Sequence, residues 1–189
     1  MRIIAGRLRS RRLVAPPGTD VRPTSDRLRE TLFNVLSPRI EGARFLDLYA
    51  GTGAVGIEAV SRGANESVLV ESNKRAARTI RENVDSLELA QEITVMEADA
   101  VKALRSLKGE FDLVFLDPPY SMHGQYEACL NALATLPILA ADAIVIAEHD
   151  KRFTPKDEYD NLHCYRRLVQ GDATLSLYRA GSTSSLHSA

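Results

Sequence analysis

Residues 117–120 read Asp117-Pro118-Pro119-Tyr120 and follow a mostly apolar run at residues 111–116. A carboxylate, a backbone carbonyl and an aromatic ring could together hold a flat ligand that carries N–H groups. The two prolines fix φ near about −65° and remove two backbone donors, so the turn is rigid and its carbonyls can point inward. The alternative interpretation is an ordinary turn after a buried strand, because turns are enriched in these residue types.

This tetrad resembles the catalytic signature of enzymes that methylate an exocyclic amino group of a nucleobase. Such a nitrogen has its lone pair delocalised into the ring, so it requires acceptors for its N–H groups and an aromatic surface that holds the base. The resemblance implies that Asp117 and the Pro118 carbonyl are the acceptors and that Tyr120 stacks on the base. These three residues are the predicted catalytic residues.

A second candidate site is the glycine-rich segment Gly51-Thr52-Gly53-Ala54-Val55-Gly56, which follows a predicted strand and opens a predicted helix. Glycines let the backbone approach a ligand closely, and an acid at the end of the next strand, here Glu71, can bind ribose hydroxyls. The spacing alone is compatible with NAD, FAD or S-adenosylmethionine.

Three further features favour S-adenosylmethionine. Asp47, four residues before the first glycine, resembles the entry to the first motif of the S-adenosylmethionine-dependent methyltransferases. The third strand ends at residues 96–100, where that family commonly contacts the adenine, and a closing hairpin matches its antiparallel seventh strand. The resemblance implies S-adenosyl-L-homocysteine as product and a set of cofactor-binding residues: Asp47, Gly51, Gly53, Glu71, Asp99 and Ala100. The alternative for each acid is a helix cap or a buried turn residue.

The elements that must position these residues follow from hydrophobic spacing. Strands are predicted at residues 45–49, 67–70, 92–96, 111–116 and 143–147, with helices between them. A hairpin centred on Gly171-Asp172 closes the chain without an intervening helix. The pattern predicts an α/β fold, a Rossmann-like class I methyltransferase with a seven-stranded, mostly parallel sheet and an antiparallel last strand. Every candidate acid would then lie at the carboxyl end of a strand, where such sheets bind ligands.

The length of 189 residues fits one domain with a small appendage. Residues 1–40 are predicted to be a basic RNA-binding appendage, residues 41–180 the methyltransferase core and residues 181–189 a disordered tail. Within the appendage, residues 3–5 and 13–15 are expected to pair as a β-hairpin. Residues 22–27 supply helix-start chemistry, and the helix that follows them is expected to end at Pro38.

Charge is distributed unevenly along the chain. Residues 1–44 contain ten arginines, no lysine and four acids, so this segment carries +6 while the remainder carries −7. An arginine-rich arm on an acidic body is typical of a protein of which only one part contacts phosphate. The predicted RNA-binding residues are Arg2, Arg7, Arg9, Arg11, Arg12, Arg22 and Arg27. The alternative is a solvated charged face.

Composition excludes several classes of protein. No run approaches the roughly 18 apolar residues of a membrane span, and the N-terminus lacks a signal-peptide core. We therefore expect a cytoplasmic protein with no membrane partner, and we expect a monomer. The two cysteines and four histidines show no ligand spacing, so neither a metal nor a disulfide is predicted.

At this point the chain resembles the RsmD-type methyltransferases of bacterial small-subunit ribosomal RNA. The resemblance covers about residues 1–180 and depends on the N-terminal Arg2-Ile3-Ile4-Ala5-Gly6, residues 22–27, residues 45–53 and the tetrad. It implies methylation of guanine N2 in 16S rRNA, with the small subunit or its assembly intermediate as partner. Guanine also suits Asp117, because a carboxylate only accepts hydrogen bonds and the guanine edge offers adjacent donors.

Three alternatives remain at this point. A DNA adenine-N6 methyltransferase shares the tetrad but would normally carry a separate target-recognition region. A protein-glutamine methyltransferase usually begins its tetrad with asparagine. A non-catalytic RNA-binding protein on the same scaffold would have lost the acids at the strand ends, whereas Asp47, Glu71, Asp99 and Asp117 are all present.

Overall fold

The computed structural model describes residues 1–15 and 25–181, which contain eight strands in one sheet. The strands are β1 (Arg44–Asp47), β2 (Glu66–Glu71), β3 (Ile93–Glu97), β4 (Phe111–Leu116), β5 (Leu139–Asp150), β6 (Glu158–Tyr159), β7 (Leu162–Gln170) and β8 (Ala173–Ala180). The helices are α1 (Asp26–Leu36), α2 (Ala54–Ser61), α3 (Lys74–Ser86), α4 (Ala100–Ser106) and α5 (His123–Thr135), with a 3₁₀ turn at Ser37–Arg39.

The strand order across the sheet is β3-β2-β1-β4-β5-β8-β7-β6. Strands β1 to β5 are parallel, and β8 is antiparallel to both of its neighbours, as predicted for the end of the chain. The direction of the winding reverses between β1 and β4. In an open α/β sheet this reversal creates a crevice at the carboxyl ends of the strands, where ligands bind.

The sheet contains one strand more than the seven that were predicted. Strand β6 has only two residues, which pair with His163 and Leu162 of β7 across a turn in which Asp160 has a φ of 46°. Two residues are too few to show an alternating apolar pattern, so the sequence carries no signal for this strand.

Alternating side chains explain the two helical layers. Leu46 and Leu116 face α4 and α5, whereas Phe45 and Phe115 face the layer that contains α1 and α2. Helix α1 begins within the predicted residues 22–27, one residue after Ser25, whose hydroxyl accepts a hydrogen bond from the Leu28 amide. No helix in the described ranges is long and apolar enough to cross a membrane.

The first fifteen residues differ from the predicted hairpin. They form a loop in which the two segments do pair antiparallel, but only around a single bridge between Arg2 and Arg12, where the Ile3 amide donates to the Arg11 carbonyl and the Leu13 amide to the Met1 carbonyl, each at 3.0 Å. The hairpin is therefore shorter than predicted, and no regular strand forms. The reason is that the amides of Ile4 and Ala5 donate to the buried carboxylate of Glu58 on α2, at 2.7 and 2.9 Å. These amides are therefore committed to the core and are not available to a second strand.

Two apolar side chains anchor the same loop. Ile3 and Leu13 are buried and belong to the cluster that packs between α2, α3 and the sheet. The loop is thus held to the α/β core through both apolar contacts and the Glu58 carboxylate. The predicted tail lies outside the described residues, except for Gly181.

Candidate active site

A cavity of about 860 Å³ opens at the carboxyl ends of the strands, where the strand order reverses. Its first half follows β1, β2 and β3 and is lined by Leu48, Tyr49, Gly51, Glu71, Ser72 and residues 98–100. Its second half follows β4 and β5 and is lined by residues 117–120, Met122, Gln125, Glu148, the start of α1 at Ser25, Arg27 and Leu28, and the β7–β8 turn at residues 170–173.

The glycine-rich loop forms one wall of the first half. Gly51 and Gly53 have φ values of 54° and 77°, in the left-handed region that favours glycine. The Gly51 amide donates to Oε2 of Glu71 at 2.8 Å, which fixes the loop to the end of β2. Gly53 is the N-cap of α2 and does not line the cavity. The space beside its Cα is occupied by Ile80, which a Cβ at this position would meet at 3.1 Å.

Asp47 lies beneath this loop and not in the cavity wall. Its side chain is almost completely buried and accepts a hydrogen bond from the Tyr49 amide at 3.3 Å. Burial raises the pKa of Asp47 to about 7, an effect that the amides of Tyr49 and Gly56 oppose and the nearby acids Glu71 and Glu148 increase. Asp47 therefore supports the loop from below.

Glu71 and Asp99 mark the next two strand ends, and both border the cavity. The two carboxylate oxygens of Glu71 accept hydrogen bonds from Gly51 and from Asn73 at the start of α3, which orients the side chain. Asp99 is exposed and caps α4 through the amide of Lys102 at 3.1 Å. The buried Ala100 follows it in the cavity wall.

Tyr49 joins the two halves of the cavity, and sequence reasoning did not select it. Its hydroxyl donates to Oε1 of Gln125 on α5 at 3.0 Å and lies 3.4 Å from Sγ of Cys129. Burial, above all, raises the pKa of Tyr49, so its proton stays on the oxygen. The sequence signal that could have indicated Tyr49 is its position just before the glycine-rich loop.

The tetrad residues border the second half of the cavity. Asp117 and Tyr120 are half-buried, and Pro118 is buried. The Tyr126 hydroxyl lies 3.3 Å from the Pro118 carbonyl oxygen and donates to the Glu148 carbonyl at 2.9 Å. Helix α5 thereby holds the turn against β5.

Glu148 is the principal wall residue that sequence reasoning missed. It is 4% exposed, lines the cavity and lies 3.4 Å from the Tyr120 hydroxyl through its Oε1. The fifth strand was predicted to end at Ala147, but it continues to Asp150. Searching one residue further for an acid at a strand end would have found Glu148.

The predicted RNA-binding arginines occupy different positions. Arg27 lines the cavity, while Arg2 and Arg12 form the bridge beside Asp26 at the start of α1. Arg7 pairs with Glu92, and Arg11 reaches the Ser86 carbonyl at 3.5 Å. Arg9 is exposed, and Arg22 lies outside the described residues. The structure therefore places Arg2 and Arg12 beside Asp26, Arg27 in the cavity wall, and Arg7, Arg9 and Arg11 along the loop.

Acids dominate the cavity wall. Its described lining contains one arginine, Arg27, and five acids: Glu71, Asp99, Asp117, Glu148 and Asp172. Within residues 1–15 and 25–181, no three His, Cys, Asp or Glu side chains are grouped as a metal site would require. An acidic cavity of this kind favours ligands that carry positive charge or N–H donors.

Comparisons with known proteins agree with this geometry. The family described as conserved hypothetical protein 95 matches residues 1–179. The ribosomal RNA small subunit methyltransferase D of Escherichia coli strain K12 is 35% identical over 95% of this chain and 89% of its own length. The solved Escherichia coli protein yhhF matches with a TM-score of 0.83 at 36% identity, over 96% of this chain and 98% of that chain.

A more distant likeness concerns the fold alone. An RNA methyltransferase from Salinibacter ruber, solved in complex with S-adenosyl-L-homocysteine, is 16% identical and has a TM-score of 0.65. The match covers 85% of this chain and 94% of that chain. The predicted fold, that of the Rossmann-like S-adenosylmethionine-dependent methyltransferases, is confirmed.

Proposed function

Because the chain belongs to the RsmD family, we propose that it transfers a methyl group from S-adenosylmethionine to the exocyclic N2 of a guanine in the 16S rRNA of the small ribosomal subunit. The observation that carries the proposal is that the glycine-rich loop and the Asp117–Tyr120 tetrad border one cavity at the reversal of the strand order. A donor site and an acceptor site in one cavity allow direct transfer between two bound molecules.

The first half of the cavity suits the methyl donor. The turn at Gly51 leaves no side chain between the backbone and a ligand, and Glu71 is held in place by two amides while each oxygen keeps a further lone pair for a ribose hydroxyl. Asp99 and Ala100 would border the adenine, while Asp47 and Gly53 would act indirectly by shaping the loop. When bound, S-adenosylmethionine supplies a methyl group activated by the adjacent sulfonium charge.

The second half suits the base. Asp117 and the Pro118 carbonyl would accept hydrogen bonds from the amino group, which turns the nitrogen lone pair out of the ring and towards the donor half. Tyr120 would stack on a base that has left its helix. Transfer would form the bond from nitrogen to the methyl carbon and break the carbon–sulfur bond, and Asp117 would accept the proton that the nitrogen then releases.

The arginines near the start of α1 suit an RNA backbone. Arg2 and Arg12 lie beside Asp26, one residue from Arg27 in the cavity wall. A phosphate path along this loop would lead a strand to the cavity mouth, with Arg7, Arg9 and Arg11 on the same segment. Arginine suits this role because its guanidinium group forms paired hydrogen bonds with phosphate.

The decisive experiment supplies labelled S-adenosylmethionine and small subunits from a strain that lacks the gene, followed by digestion and nucleoside analysis. We expect label in N2-methylguanosine from 16S rRNA, and none with the Asp117→Ala variant. Protein-free 16S rRNA in a parallel reaction identifies the assembly state that the enzyme accepts. Label in N6-methyladenine, or in ribosomal protein alone, would refute the guanine proposal.

A further inference from the structure

Two carboxylates occupy equivalent positions at the ends of neighbouring parallel strands. Leu116 of β4 pairs with Ala147 of β5, and this is the last register pair between the two strands. Asp117 and Glu148 are the next residues on each strand. Adjacent strands lie about 4.8 Å apart, so the backbones of these two acids are close neighbours.

Side-chain alternation directs both acids to the same side of the sheet. Phe115 and Ile146, two residues earlier on each strand, pack in the layer that contains α1. Asp117 and Glu148 should follow them, and both line the cavity together with Ser25, Arg27 and Leu28 around the start of α1.

The scaffold fixes Glu148 more firmly than the tetrad alone could. Its backbone pairs with Leu175 of β8, and its carbonyl accepts the hydrogen bond from Tyr126. The side chain is 4% exposed, and Oε1 lies 3.4 Å from the Tyr120 hydroxyl. A carboxylate so confined beside the tetrad has little rotational freedom, so it can discriminate between ligands by their hydrogen-bonding pattern.

We infer that Glu148 reads the guanine ring by accepting a hydrogen bond from its N1–H; this inference rests on the proposed function. Guanine presents three N–H bonds along one edge, one on N1 and two on the N2 amino group. Asp117 and the Pro118 carbonyl provide acceptors for the amino group, and Glu148 provides the acceptor for N1–H. A purine with a lone pair at N1 would face a carboxylate that can only accept, so the site would reject it.

The test uses a base that keeps the N2 amino group and changes only N1. The probe is a small subunit in which the mapped target guanosine is replaced, by RNA ligation, with 2,6-diaminopurine ribonucleoside. Its N1 is an acceptor. We expect the wild-type enzyme to methylate N2 of guanine roughly 100-fold more efficiently than N2 of 2,6-diaminopurine, measured as kcat/KM.

Glu148→Gln should reduce this preference to within about tenfold, because the amide can donate to the N1 acceptor. The matched control is Asp150→Asn, which neutralises an acid on the same strand that pairs with Arg152 and lies outside the cavity wall. This control should keep the wild-type preference. Affinity for S-adenosylmethionine, measured by calorimetry, should be unchanged in both variants.

Equal use of the two bases by the wild-type enzyme would overturn the inference while leaving guanine methylation intact. A folded Glu148→Gln variant that keeps the full preference would overturn it as well. If that variant does not fold, equal use of the two bases by the wild-type enzyme still overturns the inference. Absence of N2-methylguanosine in the unmodified subunit would instead contradict the proposed function, and the inference with it.

Discussion

The hydroxyl of Tyr126 donates a hydrogen bond to the backbone carbonyl of Glu148 at 2.9 Å, and the Pro118 carbonyl oxygen lies 3.3 Å from the same hydroxyl. One buried side chain on α5 thus links the tetrad to the end of β5. Burial, followed by the nearby Asp117, raises the pKa of Tyr126, so the phenol keeps its proton and remains a donor.

Tyr126→Phe should therefore affect both stability and catalysis. Loss of the hydroxyl leaves a buried carbonyl without its donor, which should lower the free energy of unfolding in urea by about 1–3 kcal/mol. Methyl transfer should fall because the tetrad loses its support. The control is Tyr178→Phe, whose buried hydroxyl donates to the Lys156 carbonyl at 2.9 Å, outside the cavity wall. Equal losses of activity in both variants would contradict the positioning role.

Asp117→Ala should nearly abolish turnover and leave the affinity for S-adenosylmethionine unchanged, because Asp117 borders only the acceptor half of the cavity. Single-turnover assays and calorimetry measure the two quantities separately. Asp112→Ala is the control, since this acid is exposed near the start of β4, the strand that leads to Asp117, and accepts from the Arg44 amide. Loss of donor binding in Asp117→Ala would make Asp117 a structural turn residue.

Tyr120→Ala should cost roughly 1–3 kcal/mol of base stacking, measured from kcat/KM for the small subunit. Tyr120→Phe should retain nearly normal activity, because the ring remains and the hydroxyl lies a long 3.4 Å from Glu148. Similar losses in the two variants would show that the hydroxyl matters and that stacking does not.

Arg9→Gln combined with Arg12→Gln should weaken RNA binding and reduce its salt dependence. Each lost phosphate contact should lower the slope of log K against log salt by roughly 0.7–0.9. Point variants are preferable to truncation, because removal of Ile3 and Leu13 would open the core. The control neutralises the exposed Arg105 and Lys108, near the opposite end of β4. An unchanged slope in the Arg9 and Arg12 variant would place the RNA footprint elsewhere.

Asp47 should make stability depend on pH. Its pKa is about 7 in the folded protein because of burial, against roughly 3.9 in the unfolded chain. The folded state therefore binds the proton more tightly, and this stabilisation is complete below about pH 4 and declines as pH rises to about 7. Relative to Asp47→Asn, the free energy of unfolding of the wild type should decrease across that range in urea titrations. A constant difference between the two proteins would contradict the raised pKa.

Most of the fold could be predicted from sequence patterns that span only a few residues. The strand and helix alternation, the start of α1 within residues 22–27 and the antiparallel last strand follow from spacing and turn residues, which act over a few neighbours. The part of the fold that was predicted incorrectly, the N-terminal hairpin, depends on a hydrogen-bond acceptor that is distant in sequence. Glu58 takes the amides of Ile4 and Ala5 that a longer hairpin would have used, and it lies more than fifty residues away from them.

The candidate site divides in the same way. The residue types of the tetrad, the glycine-rich loop and the acids at the strand ends are readable from sequence, because parallel strands bring their carboxyl ends to one edge. The sequence does not show whether the side chain of such an acid faces the cavity. Asp47 and Glu71 both end strands, yet Asp47 is buried beneath the loop and Glu71 lies in the cavity wall.

By itself, the sequence determined the sheet, its ligand-binding edge and the chemical groups available there, since these depend on local periodicity and residue type. Only the tertiary structure decided which groups share one cavity. The structure shows that Tyr49 and Glu148 also line the cavity and that Asp47 lies beneath the glycine-rich loop. It also places Arg2 and Arg12 beside Asp26 at the start of α1. The physical reason is that strand register and helix packing join residues far apart in the chain, and no local pattern encodes those distances.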